Sequence, residues 1–509
     1  MPEVHRVSTS EAEPTGSHRS GASTHPPRDT WVFAALLLLL AWLPIPLGSN
    51  RPWSWAIMQA GVFALLAVWL TSAGARGFLP PQTAREAGLP LLLLGAWLAF
   101  TLFQLVPLPP WLHGLLSPKS YELYQKVGPD GGTWGPLSVT PSETWSEALK
   151  RLAYIGIYAL TLVLVRTRTR LVVAASTLVI VGVGEALFGV YAEISQFQFV
   201  PTELRDGHWH VVAGTFVNRN HFAALLEVSI AVGLGLFLAA WRPGTTRGGG
   251  RAKLRAALRF LLSWRPLLVA ALAILVTALL LSKSRGGILA VAVGFSVVAT
   301  LGALLRARAT PEFRLMGVIA GLAIATGVIA GWGGLGERFA KIPAEGQERL
   351  TQWRLTLGQV RDFPLFGSGA GSYGFTFPAY KSGELRPLYY DHAHNDPLEL
   401  LAEQGLVGAA LLGGALLVAL YRMLRAYGTR RDPVMRGMLF GALAGTTAML
   451  LHGLVDFPFQ IPADAAYFFV LLGLGSVACV MNRHRHHPMP GTTRSSDTAT
   501  PTPTGPGPG

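Results

Sequence analysis

The amino-acid sequence predicts an all-α fold, a polytopic integral membrane bundle of about twelve transmembrane helices with one large loop outside the membrane. Three observations support this fold class. Mean hydropathy is +0.39 and 14% of the 509 residues are charged, whereas soluble domains average about 25%. Apolar blocks of roughly 20 residues, long enough to cross a bilayer, recur along the chain. Basic segments fall between alternate blocks, as expected for cytoplasmic loops.

The apolar blocks give the candidate spans in order. They cover residues 31–48, 54–72, 88–106, 152–165, 171–193, 213–240, 266–282, 287–304, 315–332, 397–421, 436–455 and 464–482. The fourth is short and flanked by charges. The single cysteine, Cys479, lies in a late apolar block, which excludes a disulfide framework or a cysteine metal site within one chain.

The charge distribution predicts the topology. Five basic runs fall on one side if twelve helices alternate, namely 166–170, 241–266, 306–314, 422–436 and 482–487. The positive-inside rule makes that side the cytoplasm and places both termini there. The net charge of +14 is therefore interpreted as topology rather than as nucleic-acid binding.

The same register divides the chain into five parts. The predicted membrane part consists of helices one to nine in residues 31–332 and helices ten to twelve in residues 397–482, with the external loop at 333–396 between them. Residues 1–30 and 483–509 are predicted to be disordered cytoplasmic tails. Both tails are polar or low in complexity, which predicts their disorder. The external loop is the longest segment predicted outside the membrane, so it is the first place where functional residues are expected.

Two patterns precede the end of this loop. The segment "ERLTQWRLTLGQVRDF" (348–363) places Leu350, Trp353, Leu357 and Val360 on one helical face, which predicts an amphipathic helix at the membrane surface. The segment "GSGAGSYG" (367–374) matches G-x-G-x-x-G, but a loop between membrane helices offers no βαβ unit. A glycine turn is therefore favoured over a nucleotide site.

The segment "HNDPLE" (394–399) predicts a helix start, with Asp396 as the N-cap, Pro397 at the first position and Glu399 at the capping-box position. His394 lies just outside this helix. The positive end of the helix dipole favours a neutral imidazole there, and a neutral histidine can act as a general base. The alternative is an ordinary surface-loop histidine.

A metal site is a further alternative for the polar cluster at 391–396. Asp391, His392, His394 and Asp396 supply nitrogen and oxygen atoms. Closely adjacent ligands in one short loop rarely complete a tetrahedral site, and no second cluster follows in the sequence. The sequence therefore predicts no bound metal.

Other polar residues are predicted at the same membrane face. Arg285, in "SKSRGG", lies at the outer junction of the seventh and eighth spans, where a membrane-anchoring arginine is the alternative. Ionisable residues within a span, such as His452 and Asp456 toward the outer end of the eleventh, are costly and point to function. The supporting candidates at this face are Asn218, Arg219, Asn220, His452 and Asp456.

In this order, the motifs resemble the O-antigen ligase family, integral membrane glycan-transfer proteins that include O-antigen ligases and O-antigen polymerases. His394-Asn395, nine residues, and then Gly405 to Gly408 give H-N-x9-G-x-x-G, a pattern typical of the ligases. "GTFVNRNHFAALL", "SKSRGG", "RLTQW" and "LVDFPFQIPA" fall at the family's other landmarks, so the resemblance covers about residues 210–465. Arg219 departs from the pattern, because the family often has a small residue or proline there.

The resemblance implies a membrane glycosyltransferase of lipopolysaccharide or cell-surface polysaccharide biosynthesis. A glycan would pass from a polyprenyl-diphosphate-linked donor to an acceptor hydroxyl at the periplasmic face of the bacterial inner membrane. Arg285, Arg349 and Arg354 would bind the donor diphosphate, His394 would be the base, and Asn395 would orient it. The implied partners are this donor, a lipid A-core or other glycan or protein acceptor, and membrane lipids. No cofactor and no nucleic acid are implied.

Two alternatives stay open at this point. An O-antigen or exopolysaccharide polymerase of the same family uses the same donor and differs in its acceptor. A twelve-helix secondary transporter has a similar number of spans. The transporter is disfavoured because the two halves show no internal repeat and the large loop is external.

Overall fold

The computed structural model describes residues 29–74, 87–127, 134–200, 211–240, 262–305, 344–385 and 387–481, together with residues 251, 255 and 258. Regular structure in these ranges is helical, apart from an isolated antiparallel bridge between Leu108 and Gly135. The prediction of an all-α membrane bundle is confirmed.

The helices follow the predicted apolar blocks closely. They are α1 Thr30–Trp42, α2 Pro52–Gly74, α3 Gly88–Phe103, α4 Pro110–Leu116, α5 Pro118–Val127, α6 Pro141–Leu164, α7 Arg168–Ser195, α8 Arg219–Ala240, α9 Arg265–Leu281, α10 Arg285–Leu304, α11 Ala344–Asp362, α12 Asp396–Thr429, α13 Pro433–His452 and α14 Pro462–Val480. Short helical turns at Tyr373–Thr376, Phe377–Ala379 and Gly383–Leu385 lie between α11 and α12.

Seven helices in the described part of the chain are long and apolar enough to cross a membrane, and these are α2, α7, α8, α10, α12, α13 and α14. Three shorter apolar helices, α1, α3 and α9, accompany them. The predicted span 152–165 forms the second half of α6. The predicted span 315–332 lies outside the described residues, so the total of twelve stays a prediction.

Helix α8 forms the centre of the bundle. It packs against α7, α9, α10, α13 and α14. Its residues from His221 to Leu236 are all buried, with large side chains such as Phe222 filling the space between helices. A helix that is apolar on most of its faces is stable in such a position because most of its side chains meet apolar neighbours.

Helix α12 changes direction at Gly405, the first glycine of the H-N-x9-G-x-x-G pattern. Gly405 has φ +59° within the helix, and a Cβ atom there would lie 2.3 Å from the carbonyl carbon of Leu365. Glycine is therefore required both by the backbone angle and by the close approach of another chain segment. The kink separates a first segment with three buried carboxylates, Asp396, Glu399 and Glu403, from the apolar remainder.

Helix α11 forms where the sequence predicts it, and its buried face is polar. Leu350 and Leu357 are 50% and 45% exposed, whereas Gln352, Thr356 and Gln359 are fully buried. The sequence did not predict this polar packing face, which forms because the amide and hydroxyl groups hydrogen-bond to the segment between α11 and α12. Contact of the exposed leucines with the membrane surface stays a prediction.

Candidate active site

Asp456 lies at the centre of a cluster of predicted site residues. It belongs to the loop between α13 and α14 and is 1% exposed. Its Oδ2 atom accepts a hydrogen bond from Asn220 Nδ2 and lies 3.5 Å from Arg349 Nη2. Its Oδ1 atom lies 3.5 Å from His394 Nδ1 and 3.8 Å from His221 Nε2. One carboxylate thus joins α8, α11 and the loop before α12.

The surroundings of Asp456 keep it ionised. Burial by itself would raise the pKa of this carboxyl group, but the neighbouring side chains of His221 and His394 favour the charged form. The pKa of Asp456 is consequently held well below its ordinary value. The cluster therefore contains a permanent negative charge beside His394 at neutral pH.

The backbone around His394 is held in an unusual conformation. His394 has φ +48°, a left-handed angle that few non-glycine residues adopt. Gln352 Nε2 donates to the carbonyl of His392 at 2.7 Å, and Trp353 Nε1 donates to the carbonyl of Ala393 at 3.0 Å. Helix α11 therefore constrains the segment that presents His394, a pattern common at functional sites.

Three imidazole rings surround Phe457. The ring centroids of His221 and His392 lie 4.5 Å from that of Phe457, and the centroid of His394 lies 4.7 Å from it. Sequence reasoning did not single out Phe457. Its apolar ring packs against all three histidines and offers them no competing hydrogen bond.

Helix α12 begins differently from the prediction. Asn395 is the N-cap, because its side chain accepts from the backbone N–H of Leu398 at 3.0 Å and donates to the carbonyl of Leu454 at 2.9 Å. The assignment of Asp396 as the N-cap was wrong. The Asp396 carboxylate is buried and instead accepts from Phe459 N at 3.3 Å.

Glu399 likewise has a role other than a capping box. Its carboxylate lies 2.8 Å from His392 Nδ1 and accepts from the backbone N–H of Ala393 at 2.6 Å. Burial alone would lower the pKa of His392, but the charge of Glu399 and its hydrogen bond raise the pKa to about 9. His392 is thus a cation that stabilises the loop, while His394 faces Asp456.

A cavity of about 320 Å³ lies next to this cluster. The cavity is strongly basic, with a single carboxylate, Asp456, among the described residues that line it. The basic residues of its lining are Arg219, Lys283, Arg285 and Arg349. Such a lining suits a ligand with several negatively charged oxygen atoms, because guanidinium groups bind phosphate oxygens in pairs.

The predicted arginines and asparagines divide between this cavity and other positions. Arg285 is exposed at the start of α10, and Arg349 is half-buried on α11, so two helices contribute to one cavity. Arg354 is exposed on α11 and does not line it. Asn220 lines the cavity, whereas Asn218 accepts from the backbone N–H of Asn220 at 2.8 Å and caps α8.

His452 also lines this cavity and is paired with a residue that sequence reasoning missed. Its Nδ1 atom lies 2.6 Å from Glu227 Oε1 in the middle of the bundle. A signal for Glu227 is present in the sequence, since it is an acidic residue inside the apolar segment "HFAALLEVSI". Ionisable residues in such segments are rarely without a role.

A second cavity, of about 350 Å³, is lined by residues that include Asp396 of α12 and Phe459 and Gln460 of the loop after α13. Its lining is mostly apolar and includes Leu400, Leu412 and Phe468. Asp396 lines this cavity, and Asp396 follows His394-Asn395 directly in the chain. His394 lines neither cavity, but it lies beside Asp456 of the basic cavity and two residues before Asp396 of the apolar one.

The glycine loop of residues 367–374 holds an internal carboxylate rather than a phosphate site. The backbone N–H groups of Gly371 and Tyr373 donate to the Glu403 carboxylate, both at 2.9 Å, so an internal carboxylate occupies the loop where a phosphate would bind. Over the described ranges, no three or more His, Cys, Asp or Glu side chains are grouped to hold a metal ion. Metal independence stays a prediction.

Comparison with known protein families gives a match over part of the chain. Residues 270–413 match the family model Wzy_C, described as O-antigen ligase. No curated protein matches the chain. The resemblance inferred from the motifs is confirmed. The match supports glycan transfer of the O-antigen ligase or polymerase type in polysaccharide biosynthesis, by a multi-pass membrane protein with glycan donor and acceptor substrates.

Proposed function

Because residues 270–413 belong to the O-antigen ligase family, we propose that the protein transfers a glycan from a polyprenyl-diphosphate-linked donor to an acceptor hydroxyl at the periplasmic face of the inner membrane. The proposal includes cytoplasmic termini and an acceptor such as lipid A-core. The observation that carries it is Asp456, which joins the candidate base His394 to Arg349 of the basic cavity.

The donor diphosphate occupies the basic cavity in this proposal. Arg285 and Arg349 grip its oxygen atoms with two-pronged guanidinium groups, and Arg219 and Lys283 add positive charge. Arg354 lies outside the cavity, so the geometry supports the other two arginines in this role. Fixed cationic charge near a membrane surface stabilises the negative charge that develops when the diphosphate leaves.

His394 is the base in the proposed reaction. The acceptor oxygen attacks the anomeric carbon of the donor sugar and forms the new glycosidic bond. The bond between that carbon and the phosphate oxygen breaks, and its electron pair stays with the polyprenyl diphosphate. The acceptor proton passes to His394, and Asp456 stabilises the resulting imidazolium. Asn395 holds His394 in place by capping α12 and binding Leu454.

Ligase activity is the primary proposal, and polymerase activity is the alternative with the same donor chemistry. The apolar cavity beside Asp396 offers room for an apolar segment of a lipid-linked substrate, and both activities use such substrates. Glycan analysis of a deletion strain separates them. Long polymer stranded on the lipid carrier indicates a ligase, whereas single repeat units indicate a polymerase.

The reaction itself is tested with the purified protein, a polyprenyl-diphosphate-linked glycan and a lipid acceptor. Transfer by the wild type and its loss in His394→Ala are expected, with the fall at roughly 10²-fold or more for removal of a general base. Transport of an unchanged lipid-linked glycan without transfer would contradict the proposal and favour a transporter.

A further inference from the structure

We propose that His452, oriented by Glu227, donates a hydrogen bond from Nε2 to the leaving phosphate oxygen of the donor. This inference rests on the proposed function and adds a second histidine to it. His394 accepts the proton of the acceptor hydroxyl, while His452 acts on the opposite side of the reaction, at the diphosphate.

The pairing of His452 with Glu227 orients the imidazole ring. His452 Nδ1 lies 2.6 Å from Glu227 Oε1, and the two side chains are 1% and 0% exposed. A carboxylate this close binds the Nδ1–H group and thereby directs the other ring nitrogen away from itself. In the described part of the chain, His452 Nε2 has no hydrogen-bond partner although it is buried. A buried polar atom without a partner is costly, and a ligand would satisfy it.

The free nitrogen belongs to the basic cavity. His452 lines the cavity together with Arg285 and Arg349. A Cβ atom at Gly286 would lie 3.2 Å from His452 Nε2, and a Cβ atom at Gly287 would lie 3.1 Å from Glu227 Oε1. The two glycines therefore let the first turn of α10 approach both members of the pair, and Arg285 immediately precedes them. This accounts for the sequence "SRGG" at that position.

The chemistry follows from what the cavity binds. Phosphate oxygens accept hydrogen bonds, so the Nε2 atom that faces them must carry a proton. Because Nδ1 also carries a proton, which it donates to Glu227, His452 is an imidazolium when the donor is bound. As the bond between the anomeric carbon and the phosphate oxygen breaks, negative charge grows on that oxygen. The Nε2–H group stabilises it, and the interaction is stronger in the transition state than in the bound donor. His452 is accordingly a catalytic residue, and Glu227 is a positioning residue.

The test uses His452→Gln and Glu227→Gln in the full-length purified protein, with transfer measured at varied donor and acceptor concentrations. A lost hydrogen bond to a charged group predicts a fall in kcat on the order of 10- to 100-fold, with the acceptor KM unchanged. Inorganic pyrophosphate, as a competitive probe of the cavity, should inhibit His452→Gln more weakly than the wild type. His452→Ala should regain activity when free imidazole is added.

The matched control is His113→Gln. His113 is also fully buried, but it pairs with Ser120 at 3.0 Å in the α4–α5 region and does not line the cavity, so its loss should leave kcat within about twofold. Wild-type kcat in His452→Gln would overturn the proposal. So would a loss that imidazole does not restore and that matches a lowered unfolding temperature, because this would make the pair structural. If the wild type itself transfers no glycan, the proposed function fails instead.

Discussion

Replacement of Asp456 by asparagine tests the electrostatic link between this residue and His394. The amide keeps the shape of the side chain but removes its charge. In the proposed reaction His394 becomes a cation with its Nδ1 atom 3.5 Å from Asp456 Oδ1. A unit charge pair at that separation is worth about 5 kcal/mol at an effective dielectric constant of about 20. Arg349 already neutralises part of the Asp456 charge, so we take about half of this energy, ~2.5 kcal/mol, as the transition-state stabilisation lost in Asp456→Asn. That loss corresponds to a roughly 70-fold fall in kcat.

The assay is a double-mutant cycle with saturating donor and acceptor. Asp456→Asn, His394→Ala and the double variant are compared with the wild type, and thermal unfolding in detergent reports on folding. Because Asp456 acts through His394, the double variant should be no more than about threefold slower than His394→Ala alone. Asp362→Asn is the matched control, since Asp362 is exposed and accepts a hydrogen bond from Tyr380 away from the cavity.

The reasoning fails if the two substitutions act independently. A double variant that is another 70-fold or so slower than His394→Ala would mean that Asp456 does not work through the histidine. Asp456 would then serve mainly to hold Arg349 and Asn220 in the donor cavity, and a rise in the donor KM of Asp456→Asn would accompany that result.

The remaining predictions concern the donor cavity, the loop, metal and topology. Arg285→Lys should lower the rate of donor turnover roughly tenfold or more, because lysine lacks the two-pronged geometry of the guanidinium group. The control Arg361→Lys, on the exposed face of α11, should not lower it. Full activity of Arg285→Lys would mean that Arg285 serves only as a membrane anchor. The pKa of His392 is raised from 6.5 to about 9, so the ion pair with Glu399 stabilises the folded protein fully below pH 6.5, and this contribution is lost as the pH rises through 9. The unfolding temperature of the wild type should therefore fall over that pH range, and His392→Gln should make the fall smaller. Excess chelator should leave transfer in purified membranes unchanged, whereas a loss restored by manganese or magnesium would revive the metal hypothesis. A reporter at Gly346 should be periplasmic and one at Gly249 cytoplasmic, and the same compartment for both would exclude the twelve-span topology.

The sequence was sufficient for the class of fold and for the segment that carries the motifs. Apolar blocks of bilayer length become helices because a membrane leaves backbone groups no partners outside the helix. The H-N-x9-G-x-x-G pattern was likewise visible, and its first glycine proves to be the kink of α12. Local interactions over a few residues determine these features, so a linear pattern is enough to predict them.

Local patterns were less successful where a side chain had competing partners. Aspartate is among the preferred N-cap residues, yet Asn395 takes that position and the Asp396 carboxylate accepts a hydrogen bond from the backbone N–H of Phe459. The apolar stripe of α11 was predicted to face the membrane surface, but it gave no sign that Gln352, Thr356 and Gln359 would be the buried side chains. In both cases a hydrogen-bond partner from a distant segment decided the outcome, and the sequence does not show which segment will be near.

The sequence by itself determined an all-α membrane bundle, the resemblance to the O-antigen ligase family and the candidate residues His394, Arg285 and Arg349. Only the tertiary structure decided that Asp456 joins His394 to Arg349 and that Glu227 orients His452. The tertiary structure also decided that Arg354 does not line the cavity that contains Arg285 and Arg349. The physical reason is that helical periodicity and hydropathy act over neighbouring residues, whereas an ion pair between residues 225 positions apart depends on how the helices pack.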